Sequence, residues 1–260
     1  MRIIIVEDAE TVAQLAADCF ADQVRKKQDS VLGLATGSTP TATYQKLIAL
    51  HREGLDFSRV TTFNLDEYVK LPTEDRNSYR SFMNDQLFHH INIDLYRTHV
   101  PNGMAEDLGR ECQAYEERID QAGGIDLQLL GIGRDGHIGF NEPGSSLAGR
   151  TQIRMLARET ILDNARFFGS EDLVPKCAIT MGVGTILDAR RIVLLATGPS
   201  KAEAIQATVE GPISSMVTAS ALQLHPHVTL ILDAAASHLL ERREYYLDSE
   251  KLRCSLGLGW

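Results

Sequence analysis

The residues best suited to chemistry lie in one glycine-rich stretch, LLGIGRDGHIGFNEPGSS, at positions 129–146. Asp135 and His137 are two residues apart, so on an extended loop they share a face. A carboxylate beside an imidazole fixes the tautomer, and Glu142 would complete an acid–histidine–acid relay. Such a relay suits proton transfer to a sugar oxygen or carbon. The alternative is a lone histidine hydrogen-bonded within a loop.

The same stretch argues against two other kinds of site. It contains no second histidine, which makes a metal site less favoured, and we predict no metal. No serine occupies a G-x-S-x-G elbow, which argues against a serine hydrolase.

A second candidate is the adjacent acid pair Asp66 and Glu67 in TFNLDEYVKL, positions 62–71. Ligands of open α/β sheets bind beyond the carboxyl ends of strands, so a carboxylate here is a candidate general base. Neighbouring side chains of an extended segment point in opposite directions, so at most one of the two faces a given cleft. The alternative is an acid pair stabilised by the dipole at a helix N-terminus.

A candidate phosphate site lies in GLATGSTP, positions 33–40, between an apolar run and a helical pattern. Such a turn presents free backbone N–H groups at Gly37, and Ser38 and Thr39 add hydroxyl donors. The motif is neither G-x-G-x-x-G nor a Walker loop, because no lysine follows the glycine. A dinucleotide or ATP site is therefore not supported. The alternative is a plain glycine turn with a capping threonine.

Two cations are candidates for the same anion. Lys201, in ATGPSKAEAIQ, stands in the first turn of a predicted helix, where it opposes the helix dipole unless an anion joins it. Arg166 would add a second charge if its segment folds over the site. A local cationic cluster matters because the chain carries a net charge of −9, whose field repels anions. The alternative for Lys201 is a solvated surface lysine.

Strand-like and helix-like segments must position these residues, and they alternate along the chain. The predicted strands are Arg2–Val6, Val31–Ala35, Val60–Leu65, Asp126–Gly131, Ile192–Thr197 and Val228–Asp233. The predicted helices are Ala9–Lys27, Thr41–Glu53, Asn77–His90 and Glu106–Gln121. Consecutive apolar residues are typical of strands covered on both faces, so we predict one doubly wound α/β domain over 1–260 with a mostly parallel sheet. The arginine-rich segment 148–175 is predicted to be a mobile lid; the alternative is a solvated helix pair.

Composition excludes several classes of protein. Among 260 residues, 43% are hydrophobic and 23% charged, as in globular proteins. The acidic balance argues against nucleic acid as a partner, and no apolar run approaches the ~20 residues that span a bilayer. The N-terminus lacks the pattern of a signal peptide. Four widely spaced cysteines, Cys19, Cys112, Cys177 and Cys254, suit reduced thiols in a cytoplasmic protein.

In this order, these stretches resemble the glucosamine-6-phosphate deaminase family. The likeness runs from Met1 past Leu232 and includes TGSTP, FNLDEYV, GRDGHIGFNEP, NARFF, PSKAEAIQ and SMVTASALQLHPH. It implies conversion of D-glucosamine 6-phosphate and water to D-fructose 6-phosphate and ammonia, without a metal or organic cofactor. It also implies a Rossmann-like sheet with a mobile lid, in a monomer or a homo-oligomer.

The resemblance also implies roles for single residues. Asp66 corresponds to the base that removes the C2 proton, and His137 to the acid/base that opens the sugar ring. Asp135 and Glu142 would hold that imidazole. The positions that would contact the phosphate or nearby hydroxyls are Gly37, Ser38, Thr39, Arg166 and Lys201.

Three alternatives remain at this point. A galactosamine-6-phosphate deaminase would differ by one sugar stereocentre. A 6-phosphogluconolactonase shares the expected fold but needs no base for a carbon acid. A sugar-phosphate sensor would carry a DNA-binding helix-turn-helix, for which a strand beginning at residue 2 leaves no room.

Overall fold

A computed structural model describes residues 1–259 and contains two β-sheets. The ten strands are β1 (Arg2–Val6), β2 (Val31–Leu34), β3 (Thr61–Asn64), β4 (Asp66–Tyr68), β5 (Thr98–His99), β6 (Leu127–Leu130), β7 (Gln152–Met155), β8 (Cys177–Thr180), β9 (Ile192–Ala196) and β10 (Val228–Asp233). Seven form a parallel sheet in the order β1-β10-β9-β6-β2-β3-β5. The other three form an antiparallel sheet in the order β4-β8-β7.

Residues 1–259 also form eight α-helices. They are α1 (Ala9–Lys26), α2 (Ser38–Arg52), α3 (Tyr79–Gln86), α4 (Leu108–Gln121), α5 (Arg158–Phe168), α6 (Val183–Leu187), α7 (Ala202–Val209) and α8 (Arg243–Ser255). Every residue of β2, β6 and β9 is buried, so both faces of the central sheet are covered. The doubly wound, Rossmann-like fold with a parallel sheet is confirmed. Residues 1–259 contain no helix that is both long and apolar enough to cross a bilayer.

All six predicted strands occur in the parallel sheet, within one or two residues of the predicted bounds. The four predicted helices also occur, although α2 begins at Ser38 because the turn after Gly37 is already helical. The predicted helix Asn77–His90 is divided into α3, Tyr79–Gln86, and a 3₁₀ helix, Phe88–His90. Four strands were not predicted: β5, which has two residues, and β4, β8 and β7 of the small sheet. β4 and β5, with three and two residues, are too short to show a period. β7 and β8 are as long as β2, β3 and β6 and were missed for another reason: no strand was predicted in or next to the segment 148–175.

The order of strands puts a crevice between β2 and β6. From β2 the chain builds outward to β3 and β5, and from β6 it builds the other way to β9 and β10. Neighbouring strands from which the chain departs in opposite directions mark a topological switch point, where ligands of such sheets bind. The loop after β2 holds the motif at positions 33–40, and the loop after β6 holds the motif at positions 129–146. Both loops therefore lie at the same crevice.

The segment 148–175 contains β7, α5 and a short 3₁₀ helix, Glu171–Leu173, rather than a helix pair. Its beginning is tied to α4 through Glu116, which accepts hydrogen bonds from the Thr151 backbone N–H at 2.8 Å and from Thr185 Oγ1 at 2.6 Å. Arg150 pairs with the same carboxylate. The mobility of this segment stays a prediction.

The chain leaves β4 through Lys70, whose φ of 62° is the one positive φ of a non-glycine residue among residues 1–259. This left-handed conformation costs a residue with a Cβ atom ~1–2 kcal/mol. We expect Lys70→Gly to raise the free energy of unfolding by about 0.5–1 kcal/mol, after allowing for the larger entropy of unfolded glycine. Urea denaturation would measure it. Lys70→Ala, which keeps the Cβ atom, is the control, and equal stability of the two variants would contradict the prediction.

Candidate active site

A cavity of about 590 Å³ lies at the switch point, beyond the carboxyl ends of β2, β3, β6 and β9. Seven of the nine predicted site residues line it: Gly37, Ser38, Thr39, Asp66, His137, Arg166 and Lys201. The other two, Asp135 and Glu142, contact the Nδ1 atom of His137. Parallel strands that end at one edge thus bring together motifs that are up to 164 positions apart.

His137 is held by two carboxylates on one side of its ring. Nδ1 lies 2.7 Å from Asp135 Oδ1 and 3.5 Å from Glu142 Oε2. Burial would raise the pKa of Asp135, but the hydrogen bond and charge of His137 outweigh it and hold that pKa below its usual value. Glu142 is itself fixed by the Thr160 hydroxyl of α5, at 2.6 Å. Nε2 is the nitrogen left for a ligand, so this geometry supports an acid–histidine–acid relay.

The loop that carries His137 folds tightly on itself and needs glycine at two places. A Cβ atom on Gly133 would lie 2.4 Å from the imidazole ring. Gly139 has φ of 56°, and a Cβ atom there would lie 2.8 Å from Thr180 Oγ1. The glycines of this motif therefore allow close packing around the imidazole as well as positive φ.

The end of β8 joins this loop to the strand of Asp66. Thr180 pairs with Asp66 in the small sheet, and its hydroxyl accepts a hydrogen bond from the Phe140 backbone N–H at 3.0 Å. Next to it, the Met181 carbonyl accepts one from Asn141 Nδ2 at 2.8 Å, and the Met181 N–H donates to the Leu65 carbonyl at 2.7 Å. Asp66 and the His137 loop are thus held to one short stretch of backbone.

Asp66 is a buried carboxyl group that faces the cavity. It is 6% exposed, and burial raises its pKa to about 8, with a second contribution from the negative charge of Glu67. Within residues 1–259 no donor forms a hydrogen bond to its carboxylate. A carboxylate that water and donors solvate poorly is a strong base when it is ionised.

The two adjacent acids have different surroundings, as the alternation of an extended strand predicts. Glu67 points away from the cavity and is 1% exposed. Its carboxylate accepts hydrogen bonds from the backbone N–H groups of Tyr79 and Arg80, in the first turn of α3. The sequence left two interpretations of this pair open, a carboxylate in a cleft and an acid at a helix N-terminus. Asp66 fits the first interpretation and Glu67 the second.

One part of the cavity is lined by cations. Lys201 lies at the end of the 3₁₀ helix Pro199–Lys201 and lines the cavity, with its pKa lowered by burial. The loop before it is held by Asp233, which accepts a hydrogen bond from the Gly198 backbone N–H at 2.8 Å. Opposite, the N-terminal turn of α2 at Ser38 and Thr39 presents free N–H groups. An anion of phosphate size suits this end of the cavity.

Sequence reasoning missed two further arginines and an aromatic wall. Arg76 and Arg134 also line the cavity. Arg134 lies 3.7 Å from Asp163, whereas Arg76 and Arg166 make no ion pair within residues 1–259. Arg134 lies inside the glycine-rich motif at positions 129–146, so the sequence could have indicated it as a site residue. Arg76 lies in a loop without a motif, and no sequence signal indicated it.

The aromatic wall forms beside Asp66. The Tyr68 ring packs against Phe168 of α5 with ring centroids 5.4 Å apart, and against Phe140 at 5.7 Å. The Tyr79 hydroxyl lies 3.3 Å from that of Tyr68. These rings join β4, α3 and α5 around one side of the cavity, next to the buried Asp66 carboxyl.

Asp135, His137 and Glu142 also form a group whose ligand atoms lie within 4.8 Å of one another, a spacing that a cation tolerates. A cation there would displace the 2.7 Å hydrogen bond between Nδ1 and Asp135. The geometry therefore favours the relay. No glycine-rich dinucleotide motif adjoins the cavity.

Comparison with known proteins shows the family of the chain. The family model described as glucosamine-6-phosphate isomerases/6-phosphogluconolactonase matches residues 6–230. A glucosamine-6-phosphate deaminase of Shewanella halifaxensis is 54% identical over 263 residues, covering 99% of this chain and 100% of the relative. One of Cellvibrio japonicus is 55% identical over 252 residues, covering 96% of each chain.

Solved structures show the same likeness. A monomeric glucosamine-6-phosphate deaminase superimposes with a TM-score of 0.91 at 50% identity, covering 92% of this chain and 100% of that chain. A 6-phosphogluconolactonase of Trypanosoma brucei has a TM-score of 0.76 at 18% identity, covering 91% and 97%. The second likeness shows a shared fold alone.

The burial of Asp66 predicts a pH-dependent cost in stability. Its pKa is about 8 in the folded protein and about 3.9 in an unfolded chain. Between those values the unfolded state loses its proton first, so the free energy of unfolding falls as pH rises, by up to about 1.4 kcal/mol per pH unit. Asp66→Asn cannot ionise, so its stability relative to the parent should grow between about pH 4 and pH 8.

Urea denaturation at several pH values would measure this difference. Asp163→Asn is the matched control, because Asp163 lines the same cavity but its side chain is 52% exposed. The control leaves Asp66 in place, so it should retain the pH dependence of the parent. A stability difference for Asp66→Asn that does not change with pH would contradict the prediction.

Proposed function

The chain belongs to the family of glucosamine-6-phosphate isomerases and 6-phosphogluconolactonases, and we propose that it converts D-glucosamine 6-phosphate and water to D-fructose 6-phosphate and ammonia. Relatives that share about half of its residues over nearly their whole length are named for that deaminase activity. The observation that carries the proposal is the buried Asp66 carboxyl, which lines one cavity with His137, whose Nδ1 contacts the carboxylates of Asp135 and Glu142.

The phosphate binds at the cationic end of the cavity. The turn of Gly37, Ser38 and Thr39 donates hydrogen bonds from its backbone and hydroxyls, and Lys201 and Arg166 supply charge. Binding at this remote group holds C1 and C2 of the sugar at the other end. Such binding energy is available for orientation at the reacting carbon.

His137 opens the pyranose ring. It moves a proton between the anomeric hydroxyl and the ring oxygen through Nε2, while Asp135 and Glu142 hold Nδ1. The bond between C1 and the ring oxygen breaks, and C1 becomes an aldehyde. Acid–base transfer of this kind contributes ~10²–10⁴-fold to a rate.

Asp66 then acts on the open chain. It removes the proton of C2, which the neighbouring aldehyde acidifies, and the electron pair moves into a C1–C2 enol. Reprotonation at C1 leaves an imine at C2. Water adds to that carbon and ammonia leaves, which gives the ketone of fructose 6-phosphate. Because the substrate's own carbonyl stabilises the carbanion, this sequence needs no metal or organic cofactor.

The segment 148–175 serves as a lid over this chemistry. Its helix α5 supplies Thr160, which bonds Glu142, and Arg166 and Phe168, which line the cavity. Closure would exclude water from the enol. We further propose that the protein works in the cytoplasm, as a monomer or a homo-oligomer, on a small sugar phosphate rather than on nucleic acid or a membrane.

Two alternatives use the same cavity. A lactonase would hydrolyse an ester and would not need a buried base that acts on a carbon acid. The buried position of Asp66 therefore favours the deaminase over the lactonase. Galactosamine 6-phosphate differs at one stereocentre and stays the closer alternative.

The test is release of ammonia and fructose 6-phosphate from glucosamine 6-phosphate, with galactosamine 6-phosphate and 6-phosphogluconolactone assayed alongside. In deuterated water the parent should also exchange the C2 hydrogen. Asp66→Asn should retain substrate binding and lose that exchange by at least ~10²-fold. Faster turnover of either alternative substrate, or exchange by Asp66→Asn at the parent rate, would refute the proposal.

Charge-assisted binding of the phosphate by Lys201 predicts a second effect. Lys201→Ala should raise KM roughly 10- to 150-fold and change kcat little, because the contact is worth ~1.5–3 kcal/mol in both ground and transition states. Lys26→Ala, an exposed lysine of α1 away from the cavity, is the matched control. Steady-state kinetics would measure KM and kcat for both variants. Glucosamine without its phosphate should be a very poor substrate. Equal KM values for the two variants would remove Lys201 from the phosphate site.

A further inference from the structure

Glu67 is a buried acid that the proposed reaction does not use. Three backbone N–H groups donate to its carboxylate: those of Tyr68 at 2.9 Å, Tyr79 at 3.0 Å and Arg80 at 3.0 Å. Ser78, the N-cap of α3, takes the next amide of the helix, from Ser81, at 3.0 Å. Glu67 therefore satisfies the first turn of α3 from a strand that lies outside the helix.

This contact joins two walls of the cavity. The strand β4 has three residues and lies at the edge of its sheet, so β8 is its one strand partner there. Its other side is held through Glu67 to α3, whose first residue, Tyr79, lines the cavity. Because Asp66 and Glu67 are neighbours on an extended strand, anchoring the Glu67 side chain also fixes where the Asp66 carboxylate enters the cavity.

We infer that Glu67 is a positioning residue for Asp66: its carboxylate locks β4 to the start of α3 and acts on Asp66 with its negative charge from behind the strand. This inference rests on the proposed role of Asp66 as the C2 base. It assigns to the second acid of the LDEY motif a part in the reaction without contact with the substrate.

The surroundings of Asp66 agree with an electrostatic role for Glu67. Burial raises the pKa of Asp66 most, and the charge of Glu67 comes second. Three donated N–H groups and Arg80 favour the ionised form of Glu67, although burial leaves its pKa raised.

Other titratable groups near Asp66 come from several elements. Burial raises the pKa values of Tyr68, Tyr79 and Tyr115, on β4, α3 and α4, so these phenols are neutral near pH 7. His137, from the loop after β6, and Lys201 line the same cavity. The pKa of Lys201 is lowered by burial. Of these groups only Tyr68 shares β4 with Asp66, and its phenol is neutral near pH 7.

The test is Glu67→Gln, which keeps a carbonyl acceptor for α3 but removes the charge. Carbon-13 NMR of aspartate carboxyls, with the Asp66 signal assigned by its loss in Asp66→Asn, would follow its titration directly. We expect the midpoint to fall by about one pH unit. The acid limb of kcat/KM should move by the same amount, with KM near the parent value because the phosphate contacts remain.

A second variant separates charge from position. Glu67→Asp keeps the charge but is one methylene shorter, so it should leave the Asp66 midpoint near the parent value and lower kcat about tenfold or more. Asp107→Asn is the matched control. It removes an exposed carboxylate that caps α4 through the Arg110 N–H, away from the cavity, and should change neither readout.

An Asp66 midpoint that Glu67→Gln leaves unchanged would overturn the electrostatic part of the inference. A parent-like kcat for Glu67→Asp would overturn the positioning part, and this variant decides that part even if Glu67→Gln does not fold. If the parent protein does not turn over glucosamine 6-phosphate at all, the proposed function fails, yet the NMR titration still tests whether Glu67 acts on Asp66.

Discussion

The arrangement of the site depends on one constraint: a carboxyl group, that of Asp66, must stay buried at a cavity wall without a partner that neutralises it. Burial and the charge of Glu67 both disfavour its ionised form, and together they raise its pKa to about 8. A salt bridge would relieve that cost, but it would also weaken the base. Burial of Asp66 costs the folded protein stability, and the same burial would make the ionised carboxylate a stronger base. The surrounding structure must therefore hold the Asp66 side chain in place.

That support comes from a small antiparallel sheet beside the large parallel one. Thr180 and Met181, at the end of β8, bind both the strand of Asp66 and the loop of His137. On the opposite side Glu67 binds the N-terminus of α3. Asp66 and His137, to which we assign the roles of carbon base and oxygen acid/base, are therefore positioned by a common piece of backbone, although 71 positions separate them.

The large sheet supplies a cavity but does not decide the reaction. A lactonase with 18% identity has the same fold, so function follows from the side chains at the switch point rather than from the architecture. In this chain the cavity combines a buried carboxyl, a carboxylate-held imidazole and a cationic end. Each suits one step of a phosphorylated amino sugar's conversion: proton removal from C2, ring opening and phosphate binding.

Local sequence patterns predicted the parallel sheet, because several strands, such as β1, β9 and β10, contain runs of consecutive apolar residues, which are typical of strands covered on both faces. They also determined which loops hold the reactive residues, since glycine-rich turns after strands are local features. The small sheet, the anchoring of Glu67 on α3 and the arrival of Arg76 at the cavity were decided by tertiary structure. β4 is too short to show a period, and the small sheet pairs residues that are far apart in the chain, such as Asp66 and Thr180. The alternation of side chains in an extended segment predicted that Asp66 and Glu67 face opposite ways. Only the tertiary packing determined that Asp66 faces the cavity and that Glu67 contacts α3.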